Sequence, residues 1–226
     1  MDWSYLLFVL PAVLFSLWAQ AKVKSTFAQY SGVSARMTGA QAAELVLRMY
    51  QVSDVQIAPI AGQLTDNYDP RDGRIHLSQG VYQTNSVAAV GVAAHEAGHA
   101  AQYAESYGPI RLRMAVIPAC QFGSKLSWPV LILGMILGSQ QLCWIGILLF
   151  GLVVLFQLLT LPVEFNASNR ALAALTDSGC FDEQTLDGAG KVLRAAALTY
   201  VASLAVSMGQ LLRLFLLFGG HDRDRR

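Results

Sequence analysis

The chain of 226 residues is too poor in charge to be an ordinary soluble domain, because 14% of its residues are charged and 54% are hydrophobic. The hydrophobic residues are gathered in long blocks, which is typical of a membrane protein. The formal net charge is +1 and the basic residues form no patch with interleaved aromatic side chains, so nothing indicates a nucleic-acid partner. Cys120, Cys143 and Cys180 are widely spaced, which predicts buried thiols rather than a disulfide framework or a cysteine-zinc site.

The first apolar run, residues 3–18, predicts an anchor helix over residues 3–21. Aromatic and basic residues stand at its two ends: Trp3, Tyr5, Trp18, Lys22 and Lys24. A cleaved secretory signal is the alternative, because residues 19–21 resemble a cleavage site. The basic start of such a signal is missing, since Asp2 is the only charged residue ahead of the run. The pattern therefore favours a retained membrane helix.

Residues 25–108 are more polar than the apolar runs on either side, and they are predicted to form the catalytic region of a membrane-bound protein. Thr38 and Gln41 resemble a capping box that opens a helix extending to about Tyr50. The apolar side chains of this helix are expected to be buried: Leu45, Val46 and Met49.

Two short strands are predicted on either side of a turn-rich stretch, residues 66–73. Val55 and Ile57 alternate with other residues before the turn, and Ile75 and Leu77 do so after it. The pattern predicts a β-hairpin whose edge lies beside the next helix, where it could bind an extended peptide by strand addition. The alternative is that the hairpin serves only as scaffold.

The next helix, predicted from Ser86 as its N-cap to about Ser106, carries the sequence His95-Glu96-Ala97-Gly98-His99. Residues i and i+4 of a helix are only about 40° apart around its axis, so His95 and His99 share one face. Two imidazoles at this spacing can bind one Zn²⁺ and leave positions for water and a further ligand. Glu96 leaves the helix about 100° away, beside the metal, where it can act as general base.

Two surface histidines are the plain alternative to a metal site. The flanking residues are apolar or small, however, which predicts a buried helix, and buried imidazoles need polar partners. Gly98 lowers the helix propensity in the middle of this run, which favours the close approach of another backbone or of a substrate. The pattern therefore predicts one Zn²⁺ per chain.

Residues 114–163 predict a transmembrane hairpin of two helices, with residues 139–141 at its tip. The first of its two apolar runs contains Lys125 and Pro129, which predicts a kink and a lysine that snorkels or faces protein.

Glu164 follows the second run at the membrane boundary, on what the pattern predicts to be a new helix within residues 164–188. A carboxylate there is suited to be a third zinc ligand, although composition alone leaves an ordinary interfacial acid equally open. Residues 177–179 are expected to end this helix, and residues 182–187 to form a short acidic one. A last apolar helix is predicted over residues 190–218, either spanning or lying partly against the protein, before a polar tail at residues 221–226.

No repeat or linker is visible, so residues 1–226 are predicted to form a single membrane-embedded unit. The expected fold is that of a mainly α membrane protein with about four transmembrane helices. A small α+β zinc-protease region with a short β-hairpin or sheet completes it.

Two motifs, together with the apolar hairpin between them, resemble the YugP-type family of membrane zinc metallopeptidases. They are His95-Glu96-Ala97-Gly98-His99 and Pro162-Val163-Glu164-Phe165-Asn166-Ala167-Ser168. The resemblance covers nearly the whole chain, including the anchor and the turn at residues 69–71. This family is similar in turn to the HtpX-like and CAAX prenyl proteases, gluzincins in which a glutamate on a later helix completes the metal site. The resemblance therefore implies Glu164 as third ligand.

The HtpX pattern has an aspartate four residues after the ligand glutamate, where this chain has Ser168. Ser168 shares the helix face of Glu164, so it is expected to be a weaker, neutral hydrogen-bond partner of a zinc-binding histidine.

The expected activity is that of a zinc endopeptidase acting on protein or peptide substrates, membrane proteins among them, with membrane-protein quality control as one setting. The oxyanion needs a polar partner, and the candidates are His76, Asn169 and Arg170, each with a plain alternative as a strand, helix or interface residue. Two other classes stay open, a non-proteolytic metal-binding membrane scaffold or adaptor and a scaffold whose histidines bind nothing.

If the anchor, the hairpin and the last run all span, residues 22–113 and 163–194 lie on one side of the lipid bilayer. This side holds most of the lysines and arginines, which predicts a multi-pass protein of the cell membrane with a cytoplasmic zinc site. The tail at residues 221–226 would then lie outside, against the rule, unless the last run does not fully cross.

Overall fold

Helices dominate residues 3–219, which are the residues that the computed structural model describes; the polar tail predicted at residues 221–226 lies outside them. A π-helical stretch, Tyr5–Val9, leads into the first α-helix. The α-helices are α1 (Leu10–Ser31), α2 (Gly39–Met49), α3 (Gln79–Tyr82), α4 (Val87–Ala104), α5 (Gly108–Ile136), α6 (Gln140–Asp177) and α7 (Glu183–Gly219). The strands are β1 (Gln56–Ile60), β2 (Asn67–Asp69) and β3 (Arg74–Ser78).

Four of the helices in this described range are long and apolar enough to cross a membrane: Tyr5–Ser31, α5, α6 and α7. The prediction of a mainly α membrane protein with about four membrane helices and a small sheet is therefore confirmed. The anchor helix continues to Ser31, past its predicted end at residue 21.

The described chain divides into two compact units. The first unit contains residues 3–19, 111–161 and 199–219, and the second unit contains residues 20–110 and 162–198. The prediction of a single membrane-embedded unit stays a prediction.

The first unit contains the predicted hairpin, with α5 and α6 joined at residues 137–139. The two helices approach closely at Gly123, where a Cβ atom would lie 2.7 Å from the Leu149 carbonyl oxygen. Small residues allow such contacts between membrane helices. Lys125 is exposed on α5, and Pro129 lies inside this helix without interrupting it.

The helix α2 of the second unit begins with the predicted capping box. The Gln41 backbone N–H donates to Thr38 Oγ1 over 3.3 Å, and the Thr38 N–H donates to Gln41 Oε1 over 2.9 Å. The buried face of α2 consists of Ala42, Ala43, Val46 and Leu47. Val46 is therefore buried as predicted and Leu45 is half-buried, whereas the prediction for Met49 is wrong, since this last residue of the helix is 43% exposed.

The sheet of the second unit differs from the predicted hairpin. Its order is β1-β3-β2, with β1 parallel and β2 antiparallel to β3. The two predicted strands, around Ile57 and Ile75, are present, but they pair in parallel. The strand β2 lies between them in the sequence, and it is β2 that pairs antiparallel with β3. Asp69 and Asp72 accept backbone N–H bonds in the turn that joins β2 to β3, where Gly73 has a φ of +66°.

Two predicted helix boundaries are also wrong. The helix α6 passes through Pro162 without a break, so Glu164 continues a helix that began at Gln140. Residues 182–187 form no separate helix: Asp182 caps α7, accepting the Thr185 N–H over 2.8 Å, and α7 then runs on to Gly219. The end of α6 at Asp177 is as predicted, with Gly179 at a φ of +64°.

Candidate metal centre

The helix α4 is the element that positions the His-Glu-x-x-His motif. It begins as predicted, with Ser86 Oγ accepting the backbone N–H of Ala89 over 3.2 Å. The small side chains along it, Ala89, Ala93 and Ala97 among them, are fully buried in the core of the second unit. Because most of α4 is enclosed, its few polar side chains must find partners within the protein.

Gly98 explains how a second helix reaches the motif. A Cβ atom at this position would lie 2.4 Å from the carbonyl oxygen of Ala167, so the backbone of α6 passes directly against α4. The prediction that this glycine admits another backbone is confirmed. The same close passage brings Glu164, one turn before Ser168 on α6, beside the two histidines.

His95, His99 and Glu164 form a cluster that could hold a metal ion. Glu164 Oε2 lies 3.3 Å from His95 Nε2 and 3.5 Å from His99 Nε2, and the candidate ligand atoms of all three lie within 4.8 Å of one another. Two ligands at about 2.0–2.1 Å from a tetrahedral zinc ion are separated by about 3.3–3.4 Å. The two distances from Glu164 Oε2 therefore match the separation expected between ligands of one zinc ion.

Each histidine has a hydrogen-bond partner at the ring nitrogen that faces away from Glu164. Ser168 Oγ lies 3.1 Å from His95 Nδ1, in the place expected of it, and Gln102 Oε1 lies 3.0 Å from His99 Nδ1. Metal-binding histidines commonly donate their second ring N–H to such an acceptor, which fixes the tautomer and the ring orientation. Both Nε2 atoms are thereby left for a metal.

Gln102 is a site residue that the sequence analysis missed. Its side chain is completely buried, and its Nε2 donates to the Val163 carbonyl over 2.8 Å and to Asn166 Oδ1 over 2.9 Å. Because both donors have acceptors, Oε1 faces His99 and the ring proton belongs on Nδ1. The signal in the sequence was a lone amide one turn beyond His99, after two alanines of a buried helix.

Replacing Gln102 by leucine is expected to weaken zinc binding by roughly 10- to 100-fold, the usual effect of losing an outer partner of a zinc ligand. Leucine fills a similar volume but offers His99 no acceptor. The affinity is measured by competition with a chromophoric chelator, and Gln141→Leu, at an exposed glutamine of the hairpin tip, is the control. An unchanged affinity in folded Gln102→Leu protein would contradict this role.

The side chain of Glu96 is held by the sheet. Its Oε2 accepts the backbone N–H of Tyr68 over 2.9 Å, and Tyr68 is the central residue of β2. Tyr68 lies directly opposite Ile75 of β3 in the ladder. Because the Tyr68 N–H points to Glu96 and not to β3, it lies on the edge of β2 that pairs with no strand of the described sheet. The free edge of β2 therefore lies beside α4.

The charge of the cluster affects His99 directly. Burial by itself lowers the pKa of His99, but the hydrogen bond to Glu164 and the negative charges of Glu96 and Glu164 outweigh burial and raise the pKa above its usual value. Protons and a metal ion would compete for the same imidazole nitrogen, so metal binding at this cluster would depend on pH.

The three candidates for binding the oxyanion occupy different places. The guanidinium of Arg170 donates from Nε to Asn166 Oδ1 over 2.7 Å, pairs with Glu105 over 2.6 Å and lies over the ring of Tyr50. His76, on β3, pairs over 2.9 Å with Asp72 of the preceding turn. Asn169 is exposed on α6. These contacts favour a structural role for Arg170, and the oxyanion role of all three stays a prediction.

Comparison with known proteins places these features in context. The family model described as "Putative neutral zinc metallopeptidase" matches residues 5–219. A protein of Bacillus subtilis (strain 168) described as "Putative membrane protease YugP" is 45% identical over 224 residues, covering 97% of this chain and 99% of that protein. No solved structure matches the chain.

Proposed function

Because the chain belongs to this family of neutral zinc metallopeptidases, we propose that it is a membrane-bound zinc endopeptidase that hydrolyses peptide bonds of protein substrates. The observation that carries the proposal is the cluster of His95, His99 and Glu164 with Glu96 one residue from the first ligand. Two neutral imidazoles and one carboxylate are a common ligand set of catalytic zinc, and they leave room for water and substrate. A bound zinc ion supplies a Lewis acid and lowers the pKa of its water to about 7.

Glu96 is the residue that we assign to proton transfer. The Tyr68 N–H donates to one carboxylate oxygen, Oε2, and so holds the Glu96 side chain against β2, next in sequence to the first candidate ligand. In this role Glu96 takes a proton from the attacking water and passes it to the amine of the departing peptide. The two transfers balance, since the water gives its hydroxide to the carbonyl carbon and its proton to the leaving nitrogen.

The free edge of β2 is the surface that we assign to the substrate. In an antiparallel strand the N–H and C=O of one residue point to the same side, so the Tyr68 carbonyl also leaves the sheet beside α4. An extended peptide can add to such an edge by donating a main-chain N–H to the Tyr68 carbonyl, largely independent of its side chains. This supports protein substrates of varied sequence, membrane proteins among them.

The test of the proposal is the cleavage of a casein-like substrate by the purified protein in detergent. We expect a zinc chelator to abolish cleavage and about one equivalent of added zinc to restore it, because three protein ligands hold one ion. The same chelator saturated with zinc beforehand serves as the control. Cleavage that continues at the full rate in the chelator would contradict a zinc mechanism.

We also propose that the metal centre faces the cytoplasm. The second unit contains both ligand segments and most of the basic residues that the positive-inside rule counts, including Lys22, Arg36, Arg170 and Lys191. Single cysteines at Ser31 and Ser139, in a chain whose natural cysteines are replaced by alanine, test this in intact cells. An impermeant thiol reagent is expected to label position 139 and spare position 31, and the opposite pattern would reverse the orientation.

A further inference from the structure

The second unit also contains a basic pocket, a cavity of about 380 Å³ between α1 and α7. Three cations line it, Lys22 from α1 and Lys191 and Arg194 from α7. Polar groups of α1 complete this wall: Thr26, Gln29 and Tyr30. The pocket is separate from the metal cluster, and the mechanism above makes no use of it.

The charges in this pocket are only partly compensated. Asp187 is the carboxylate that the described structure pairs with them, at 2.5 Å from Lys191 Nζ and 3.7 Å from Arg194 Nη2. Three cations against one carboxylate leave an excess of two positive charges. The side chains of Lys191 and Arg194 are 51% and 66% exposed, so their remaining donors can reach a ligand.

Two glycines of α7 shape the wall of the basic pocket. A Cβ atom at Gly188 would lie 2.8 Å from Cε1 of Tyr30, so the ring of Tyr30 packs directly on the helix backbone. Tyr30 on α1 and Lys191 on α7 both line the pocket. At Gly190 a Cβ atom would lie 3.3 Å from Nη1 of Arg194, so the guanidinium lies close over the helix there. The Arg194 guanidinium is therefore placed over the α7 backbone at the pocket wall.

The basic pocket lies where charged sequence meets apolar sequence on both helices. Lys22 follows the apolar run of α1, and Arg194 lies near the start of the last apolar run. Beyond Arg194 the lining continues with Ala195 and Leu198, which are apolar. A ligand that fits this arrangement has an anionic head and an apolar body.

We propose that the basic pocket binds the phosphate group of an anionic ligand, and that the phosphodiester of an anionic phospholipid is the source that this position favours. Guanidinium and ammonium groups form charge-assisted hydrogen bonds with phosphate oxygens, and basic pockets between membrane helices bind anionic head groups. Free phosphate offers the same oxygens without the apolar body, so the two sources can be separated by experiment. The proposal does not depend on peptidase activity.

The test uses the full chain in detergent, titrated with phosphatidylglycerol, with phosphatidylcholine or with inorganic phosphate. Bound lipid is counted by native mass spectrometry, and the midpoint of thermal unfolding is measured in parallel. We expect phosphatidylglycerol to bind and to raise the midpoint, and phosphatidylcholine to do neither. Stabilisation by inorganic phosphate to the same extent would support the phosphate site and assign it to a soluble ligand. Equal binding of the two lipids, with no effect of phosphate, would overturn the proposal.

Variants locate the site. Lys22→Gln/Lys191→Gln/Arg194→Gln is expected to weaken phosphatidylglycerol binding by about fivefold or more for each cation removed. The matched control removes three exposed cations elsewhere in the second unit, Lys24→Gln/Arg36→Gln/Arg48→Gln, and should bind like the parent. If the triple variant does not fold, the single variant Arg194→Gln replaces it. Equal binding by pocket and control variants would overturn the assignment.

Discussion

Replacing Glu96 by glutamine is expected to leave about one zinc ion per chain in place and to lower the rate of peptide hydrolysis by roughly 10²- to 10⁴-fold, the usual contribution of a general base. The amide has nearly the same shape and can still accept the Tyr68 N–H, so the fold and the ligands are unaffected. Only the ability to take a proton from water is lost. The rate is measured on the casein-like substrate, and zinc is measured on the same preparation.

Glu44→Gln is the matched control, since Glu44 is exposed on α2. It should leave both rate and zinc content unchanged. A Glu96→Gln protein that cleaves at the parent rate would remove Glu96 from the mechanism. Loss of zinc together with activity would instead give Glu96 a role in the metal site.

Replacing His99 by alanine is expected to reduce the zinc content from about one per chain to a trace, because a three-ligand site that keeps only two protein donors holds its ion weakly. Elemental analysis of purified protein measures this, with the thermal unfolding profile as a check that the variant folds. Glu164→Ala should weaken binding less completely, since water can take the place of the carboxylate.

His76→Ala is the control for the histidine variant, because His76 pairs with Asp72 and is not a member of the cluster. It should keep its zinc. Full zinc content in His99→Ala protein would show that the zinc ion is bound elsewhere.

The features that the sequence predicted well depend on neighbours in the chain. The capping box at Thr38, the N-cap at Ser86 and the tip of the hairpin each involve residues within a few positions of one another. The i, i+4 spacing of His95 and His99 is local in the same way. Short-range geometry and periodicity are enough to place such elements.

The features that the sequence did not predict depend on distant partners. The strand β2 is three residues of modest strand propensity, and it forms because β3 offers a register for it. Glu164 was expected to lie on a new helix, but α6 continues through Pro162 to Asp177. Gln102 gave only the weak signal of a buried amide, since its acceptor on Val163 is 61 residues away.

The metal centre is assembled from segments that are made at different times. His95 and Glu164 are 69 residues apart, and all of α5 and the first part of α6 are synthesised between them. At translation rates of about 5–20 residues per second, roughly 3–14 s pass between the two ligands. Until the second segment emerges, the nascent chain has only two of the three candidate metal ligands, His95 and His99. The close contact between Gly98 and Ala167 then forms late, so the order of synthesis delays completion of the three-residue cluster until both helices of the hairpin exist.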